Sequence, residues 1–512
     1  MNVVFRVDAG HLIGTGHVMR CLTLADVLAA KGARCRFIIR AHDGHLAGLI
    51  ERRGFAADVL PLRQPPLPLS EPGYAAWLGA DWQIDAKETL AAMVSGKPDW
   101  LIVDHYAMDR RWQAALRPHC GRILVIDDLA DREHDCDLLL DQNVMAEAES
   151  RYDCLLPPSC GRMIGPRYAL LHPAYADLHA SMAVRQGPIR RVILFFGGSD
   201  LPNVTAKALA AIVPLLDGTF HLDVVITAAS PHAAHIRRQA DGLTNVTLHE
   251  SLPTLSPLIS AADLAIGAGG ATSLERCCLG VPSIIVTLAA NQRPGAAELH
   301  RRGLVEWLGD ESEVSADALA AAVGAALNKG CDEVMSRRCL ELLDGRGAER
   351  VAGWLMLGAS SHLRARLAVE SDEALLLEWA NDPSVRANSF TSDRIDAVAH
   401  GDWFRRKLAA HSDCRLFIIE NDAGNPIGQV RFDRDGDCWF INFSLDPRAR
   451  GRGLGRPMLS AAIQCLAADG NRPLLAKVKP SNHASRRVFE GLGFALIATS
   501  PHLVFEKPLS AA

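Results

Sequence analysis

NVVFRVDAGHLIGTGHVMRC, Asn2–Cys21, passes from an apolar run into a loop with three glycines and two histidines, then into an apolar-periodic segment. That order is a strand, a tight turn and a helix. Gly14-Thr15-Gly16 begins like a dinucleotide fingerprint, but Met19 stands where the third glycine belongs, and no Lys-Ser/Thr pair completes a phosphate-binding P-loop. What remains is geometry: the glycines permit the turn, and the following helix presents free backbone N–H groups towards a cleft. His17 falls in the first turn of that helix. Histidine, with an ordinary pKa near neutrality, suits general-base work. Capping or packing of the turn is the other role open to it.

The same alternation continues outward. Apolar strands are expected at 3–7, 36–39, 100–103 and 123–126, with helical stretches such as 18–30 between them. This predicts a parallel sheet covered on both faces. After the Gln186-Gly187-Pro188 loop a second series follows, with strands at 191–196, 222–226, 247–249, 264–266 and 283–286. Two doubly wound halves, 1–180 and 188–357, enclose a cleft at the carboxyl ends of their strands. The stretch 336–357 reads as helical and 358–361 as a linker. A third unit, 362–512, has a different order: an amphipathic opening (370–381), strands at 416–420, 426–433 and 438–445, a glycine loop, a helix, a strand at 474–478, another helix and a last strand near 502–506. That is an α+β pattern. Pro61–Pro72 is proline-rich and reads as an exposed loop.

At 512 residues, roughly three globular units of ~100–200 residues each are expected. A net charge of -5, with arginines dispersed among acids, gives no electrostatic case for nucleic acid. No window offers the ~20 apolar residues of a membrane span, and the N-terminus runs straight into a strand, so a cytoplasmic protein is expected. The 13 cysteines lack any CxxC pair and read as buried, reduced thiols rather than a disulfide framework or zinc knuckle.

Further loops after predicted strands supply site candidates. Asp104-His105-Tyr106 is polar beyond the needs of a turn. Asp127–Arg132 clusters carboxylates, but interleaved Arg132 and His134 favour a hydrogen-bonded structural loop over a divalent-metal site. Gly197-Gly198-Ser199-Asp200 opens the second half with another anion-friendly turn. GAGGATSLERCCLGVP, Gly267–Pro282, sets a glycine turn, with Gly269, Gly270 and Thr272, before a helix carrying Glu275. Such a turn brings N–H groups to a diphosphate, and a carboxylate one turn on can accept ribose hydroxyls. A plain strand–helix connection with a solvated Glu275 is the alternative. Asn291-Gln292 adds amides that can hold sugar hydroxyl or acetamido groups.

Together RVDAGHLIGTGHVMRCLTLA, VDHYAMD, VIDDLADREHDCDLLLDQN and GGATSLERCCLGVP followed by ANQ resemble the UDP-sugar hydrolases of pseudaminic acid biosynthesis. The resemblance covers about residues 1–335 and implies a GT-B fold. It implies hydrolysis of UDP-2,4-diacetamido-2,4,6-trideoxy-β-L-altropyranose by water attack at the anomeric carbon, with inversion. By it His17 is the base, Tyr106 and Asn291 lie around the sugar, and Glu275 binds the ribose. Gly14, Gly16, Gly198, Gly269, Gly270, Thr272 and Gln292 would complete the UDP-sugar site. No Asp-x-Asp motif follows a strand of the second half, so helix N-termini rather than a metal are expected to hold the diphosphate.

In the third unit FSLDPRARGRGLGRPMLSAAIQ, Phe443–Gln464, places Arg450-Gly451-Arg452-Gly453-Leu454-Gly455 between a strand and a helix, where successive N–H groups can converge on one pyrophosphate. With Asn482-His483-Ala484-Ser485 and FEGLGF, Phe489–Phe494, this resembles the GNAT acetyltransferase superfamily. The resemblance implies that 450–455 bind acetyl-CoA, that Leu445 lies by the splayed strand aligning the thioester, and that Asn482 contacts the pantetheine side. Glu490 stands where many members place a tyrosine that protonates the departing thiolate, and water is the alternative donor. VRANSF (Val385–Phe390), His400 and Trp403-Phe404 resemble the N-acetyltransferases of the same pathway, which acetylate the 4-amino group of a UDP-amino sugar just before the hydrolase acts. The expectation is thus a fusion of two consecutive enzymes. A GT-B glycosyltransferase, a nucleotide-sugar sensor and a protein-acetylating GNAT domain are the rivals.

Overall fold

The computed structural model describes all residues except 64–73, 94–95, 149, 199, 228–229, 251, 359, 411, 468–471 and 509–512, and the side chain of 467. Most of the proline-rich stretch, Ser199 and linker residue 359 thus lie outside the described residues. The chain forms two compact units, Met1–Ala352 and Gly353–Ala512.

The first unit holds two parallel sheets. Strands β1 (Asn2–Val7), β2 (Arg34–Arg40), β3 (Ala56–Leu60), β4 (Trp100–Asp104), β5 (Arg122–Ile126), β6 (Leu138–Asp141) and β7 (Gly161–Ile164) lie in the order β3-β2-β1-β4-β5-β6-β7. Strands β8 (Arg191–Phe195), β9 (His221–Ile226), β10 (Val246–Glu250), β11 (Leu264–Ala268), β12 (Ser283–Thr287) and β13 (Glu306–Asp310) lie in the order β10-β9-β8-β11-β12-β13. Both orders reverse beside their first strand, between β1 and β4 and between β8 and β11. Crevices at the carboxyl ends of the strands open at these switch points. This is the GT-B arrangement of two Rossmann-like halves.

Strand β1 is buried at Val3, Phe5 and Val7, and also at Arg6. The Arg6 guanidinium joins Asp8 Oδ1 at 2.7 Å and Asp85 Oδ2 at 2.6 Å, while Arg40 reaches Asp85 Oδ2 at 2.6 Å and the Trp112 indole donates to Asp85 Oδ1 at 2.9 Å. Each charge has an opposite partner, which lets the group tolerate burial. They pin the end of β1, where the glycine loop begins.

In the second unit β14 (Leu363–Leu367), β15 (Cys414–Asn421), β16 (Pro426–Asp435), β17 (Cys438–Leu445), β18 (Leu474–Val478), β19 (Ala495–Ala498) and β20 (Leu503–Lys507) form one sheet in the order β14-β15-β16-β17-β18-β20-β19. All its pairings are antiparallel except β17 with β18, which touch only at Trp439↔Leu474 and Phe440↔Leu475. Beyond Phe440 the two strands part.

Six strands escape the hydrophobic pattern: β3, β6, β7, β13, β14 and β19 are four or five residues long. β3, β7, β13 and β14 carry polar residues or glycine within them, β6 ends on Asp141 in a run broken by aspartates, and β19 is only the four residues Ala495–Ala498. The stretch 336–357 is a second departure, being two helices, Glu333–Leu342 and Gly347–Leu355. Gly345 stands between them at φ +76°, and a Cβ there would meet the Ala176 backbone at 2.7 Å.

Candidate functional site

Gly14, at φ +83°, makes the turn after β1, and a helix runs from Gly16 to Ala30 with no side chain capping its start. His17 is its second residue. The ring is buried, and its Nδ1 lies 2.6 Å from Oδ1 of Asp104, the last residue of β4. Arg20, one turn on, reaches the same carboxylate with Nε to Oδ2 at 2.6 Å and Nη2 to Oδ1 at 2.7 Å. Burial opposes ionisation of Asp104, but Arg20 and His17 outweigh it and hold the carboxyl well below the usual range. Facing an ionised carboxylate, Nδ1 is the nitrogen placed to donate, although Arg20 Nη2 also lies 3.2 Å from it; with Nδ1 as donor, the Nε2 lone pair is free.

Tyr106 packs edge-on against His17 with ring centres 4.7 Å apart, and Tyr74 and Trp77 pack on Tyr106 at 4.8 and 5.8 Å. The Tyr106 hydroxyl accepts from Asn291 Nδ2 at 3.3 Å, a bond from the first half to the second. Burial first, then Asp128, pushes the Tyr106 phenol well above its ordinary value, so it remains a hydroxyl. Three of the expected residues, His17, Tyr106 and Asn291, thus meet.

Two residues of this cluster were not singled out in the sequence. Arg20 is signalled only by its i,i+3 spacing from His17. Asp128 sits in the acidic loop read as structural. Asp127 does have that role: it accepts from Ala130 N at 2.9 Å and from the Tyr152 hydroxyl at 3.2 Å, and it pairs with Arg132 at 2.7 Å. Asp128 instead turns into the cleft, where its Oδ2 receives Arg20 and Asn143 at 3.2 Å each.

In the second half, a Cβ on Gly198 would stand 2.9 Å from Thr15 Oγ1, so this glycine lets the two halves approach. The turn it opens differs from expectation. Asp200 accepts from Val204 N and Thr205 N at 2.9 Å each, so these helix-start donors already hold an internal carboxylate. The helix Thr272–Cys278 has no side-chain cap, and it follows the close-packed Gly269, whose Cβ would lie 2.9 Å from Thr287 Cγ2. Gln292 accepts from Leu288 N at 2.9 Å, and its Nε2 lies beside Gly270, 3.4 Å from where a Cβ would stand. Glu275 is half-buried, and burial raises its carboxyl above its ordinary value despite the neighbouring Tyr175 hydroxyl and Arg276. Among the described residues no group of three or more His, Cys, Asp or Glu side chains is arranged to hold a metal ion, and no helix is long and apolar enough to cross a membrane.

In the second unit Gly451 and Gly453 stand at φ +70° and +76°, conformations that glycine adopts without strain. They turn the 450–455 loop into the helix Gly455–Ala467. The two arginines bend back: Arg450 donates to the Leu445 carbonyl and pairs with Asp382 at 2.9 Å, and Arg452 donates to the Trp354 carbonyl. The loop thus offers backbone N–H groups rather than these guanidinium groups. Asn482 caps the helix His483–Gly491, accepting from Ser485 N at 3.1 Å. Glu490 is exposed and pairs with Arg486 at 2.8 Å.

Comparison with known proteins agrees with this division. Residues 362–495 match the acetyltransferase (GNAT) domain family, and residues 192–345 match the glycosyltransferase family 28 C-terminal domain. The UDP-2,4-diacetamido-2,4,6-trideoxy-beta-L-altropyranose hydrolase of Campylobacter jejuni is 23% identical over 306 residues, 59% of this chain and 97% of its own. MJ1062 of Methanocaldococcus jannaschii is 20% identical over 510 residues, 96% of each chain. The Bacillus subtilis spore coat polysaccharide biosynthesis protein SpsG is 30% identical over 146 residues, 28% of this chain and 43% of its own. The chain is a fusion: a region homologous to the hydrolase precedes a GNAT domain.

Proposed function

We propose that the first unit hydrolyses UDP-2,4-diacetamido-2,4,6-trideoxy-β-L-altropyranose, or a closely related UDP-diacetamido sugar, to UDP and the free sugar, and that the GNAT domain acetylates the 4-amino precursor of that substrate with acetyl-CoA. The observation that carries the hydrolase reading is the 2.6 Å contact of His17 Nδ1 with an Asp104 carboxylate clamped by Arg20. An oriented imidazole with a free Nε2 is the group that must take a proton from water as its oxygen bonds to the anomeric carbon. The bond to UDP breaks from the opposite face, and the nucleotide leaves as an anion that needs no acid. Asp104 then stabilises the imidazolium as it forms.

Tyr106 and Asn291 border the sugar in this reading, with Gly14, Gly16 and Gly198 shaping the crevice. Gly269, Gly270, Thr272, Glu275 and Gln292 hold the nucleotide: N–H groups of the glycine turn face the diphosphate, and Glu275 accepts from the ribose. In the second unit Leu445 borders the thioester, the backbone N–H groups of Arg450–Gly455 receive the pyrophosphate, and Asn482 steers the pantetheine through the helix it caps. No metal takes part.

The test is UDP release from the diacetamido sugar with no acceptor present. Steady release by the native chain, lost in His17→Asn with nucleotide affinity retained, supports the reading. Strict dependence on an acceptor sugar would make the first unit a glycosyltransferase instead.

A further inference from the structure

Strands β16 and β17 carry a polar face opposite the one on which Leu445 lies. A Cβ on Gly428 would meet the Met458 sulfur at 2.7 Å, and Phe443 packs on Phe489 at 5.6 Å, so these two residues face the helices Gly455–Ala467 and His483–Gly491. By strand alternation Gln429, Asn442 and Ser444 face the other side. Gln429 lies opposite Ser444 in register, and its Nε2 donates to Asn442 Oδ1 at 3.0 Å and towards Ser444 Oγ at 3.4 Å. The residue is 92% buried, yet among the described residues its Oε1 has no donor. A buried carbonyl oxygen left in this way awaits a hydrogen. It sits beside the stretch of β17 that has parted from β18, where the GNAT resemblance places the thioester.

The charges on this side are predominantly cationic. Asp433 is held by Lys407 Nζ at 2.6 Å and Arg431 Nε at 2.7 Å, the Arg431 guanidinium lies 5.1 Å from the Trp403 ring centre, and Lys477 Nζ stands 4.9 Å from that of Phe440. Two cations thus hold Asp433, and Lys477 lies over Phe440, the residue opposite Asp433 in register, with Glu506 one strand further out, paired opposite Leu475.

We propose that Gln429 is the residue that orients the acceptor amine, and that this face takes a primary amine on an anionic, hydroxyl-rich carrier rather than a polyamine or aminoglycoside. The proposal rests on the acetyl-transfer reading above. Gln429 Oε1 accepts one N–H of the neutral amine, and Asn442 and Ser444 hold the carboxamide in place. The nitrogen lone pair attacks the thioester carbonyl carbon, the C–S bond breaks, and the sulfur leaves with its electron pair. The nitrogen passes a proton through solvent to the thiolate, giving the acetamide and CoA thiol. A polycation meets like charge at Lys407, Arg431 and Lys477, while a phosphorylated carrier meets opposite charge.

The test measures thiol release from acetyl-CoA by the full chain with four amines: a UDP-linked 4-amino sugar, the same sugar without UDP, spermidine and kanamycin. CoA affinity is measured alongside. The UDP-linked amine is expected to exceed the others by about tenfold or more in kcat/KM, through opposite-charge attraction. Gln429→Leu is expected to lower that value about 100-fold with CoA affinity unchanged, and Gln429→Glu, which still accepts an N–H, to restore part of it. Wild-type turnover in Gln429→Leu, faster acetylation of spermidine or kanamycin, or bound CoA with no amine acetylated would each overturn the proposal. Failure to bind CoA would instead bring down the acetyl-transfer reading on which it rests.

Discussion

The hydrolase-like site is built from side chains brought together from distant parts of the chain, whereas the loop proposed for acetyl-CoA is six consecutive residues shaped by glycine backbone. His17, Arg20, Asp104, Tyr106, Asp128 and Asn291 come from four segments of two half-domains, and each acts through its side-chain atoms. In the 450–455 loop the arginine side chains are spent on internal partners, and two left-handed glycines set the course of the backbone. A side-chain site is fragile to conservative substitution, because tautomer and charge are set by a neighbour. A backbone site is indifferent to most side chains and sensitive to a Cβ at two positions.

The largest expected break falls in the first site. His17→Asn should lower UDP release about 10³- to 10⁴-fold while acetyl transfer is unaffected, measured in parallel on the same preparation. Next, burial together with Asp128 and Asp127 outweighs the Asn143 N–H and Arg151 and raises the Asp141 carboxyl to about 7. The native state therefore keeps a proton that the unfolded chain releases near pH 4. The resulting stability is present below about pH 4 and is lost as pH rises through 7, on the order of 4 kcal/mol from three pKa units. Thermal scans between pH 5 and 8 should show one transition falling with pH, and Asp141→Asn should flatten it.

Asp104→Asn removes the acceptor that fixes the His17 tautomer, and about a 10²- to 10³-fold loss in kcat is expected with nucleotide affinity retained. For the backbone site, Gly453→Ala should weaken CoA binding about tenfold by calorimetry, because φ +76° strains any residue with a Cβ. Arg452→Lys should change it little. Asn291→Ala, which removes one cross-half hydrogen bond, should raise KM for the UDP-sugar about three- to tenfold.

The same contrast decides what the sequence revealed. The acetyl-CoA loop is contiguous, so Arg450–Gly455 is visible as a motif, although which atoms face the ligand is not: the arginines turn away. Both parallel sheets follow from the strand–helix alternation, but β6 and β7, at four residues each, are too short to show a period. His17 stands out because a histidine directly follows the glycine turn, in the first turn of the helix beyond it. Arg20 looks like an ordinary helix arginine until Asp104, 84 residues away, is seen to hold it. Asp128 cannot be separated from Asp127 in sequence, since only the fold sends one inward to Tyr152 and the other into the cleft. Asp200 reads as part of an anion-binding turn, but its carboxylate closes that helix start from within.

The most direct test of two consecutive steps on one chain is to supply the UDP-linked 4-amino precursor with and without acetyl-CoA and to follow UDP. The account predicts UDP release that depends on acetyl-CoA, lags behind CoA thiol release, and disappears in His17→Asn while thiol release persists. Equal UDP release without acetyl-CoA, or thiol release that is never followed by UDP, would contradict it.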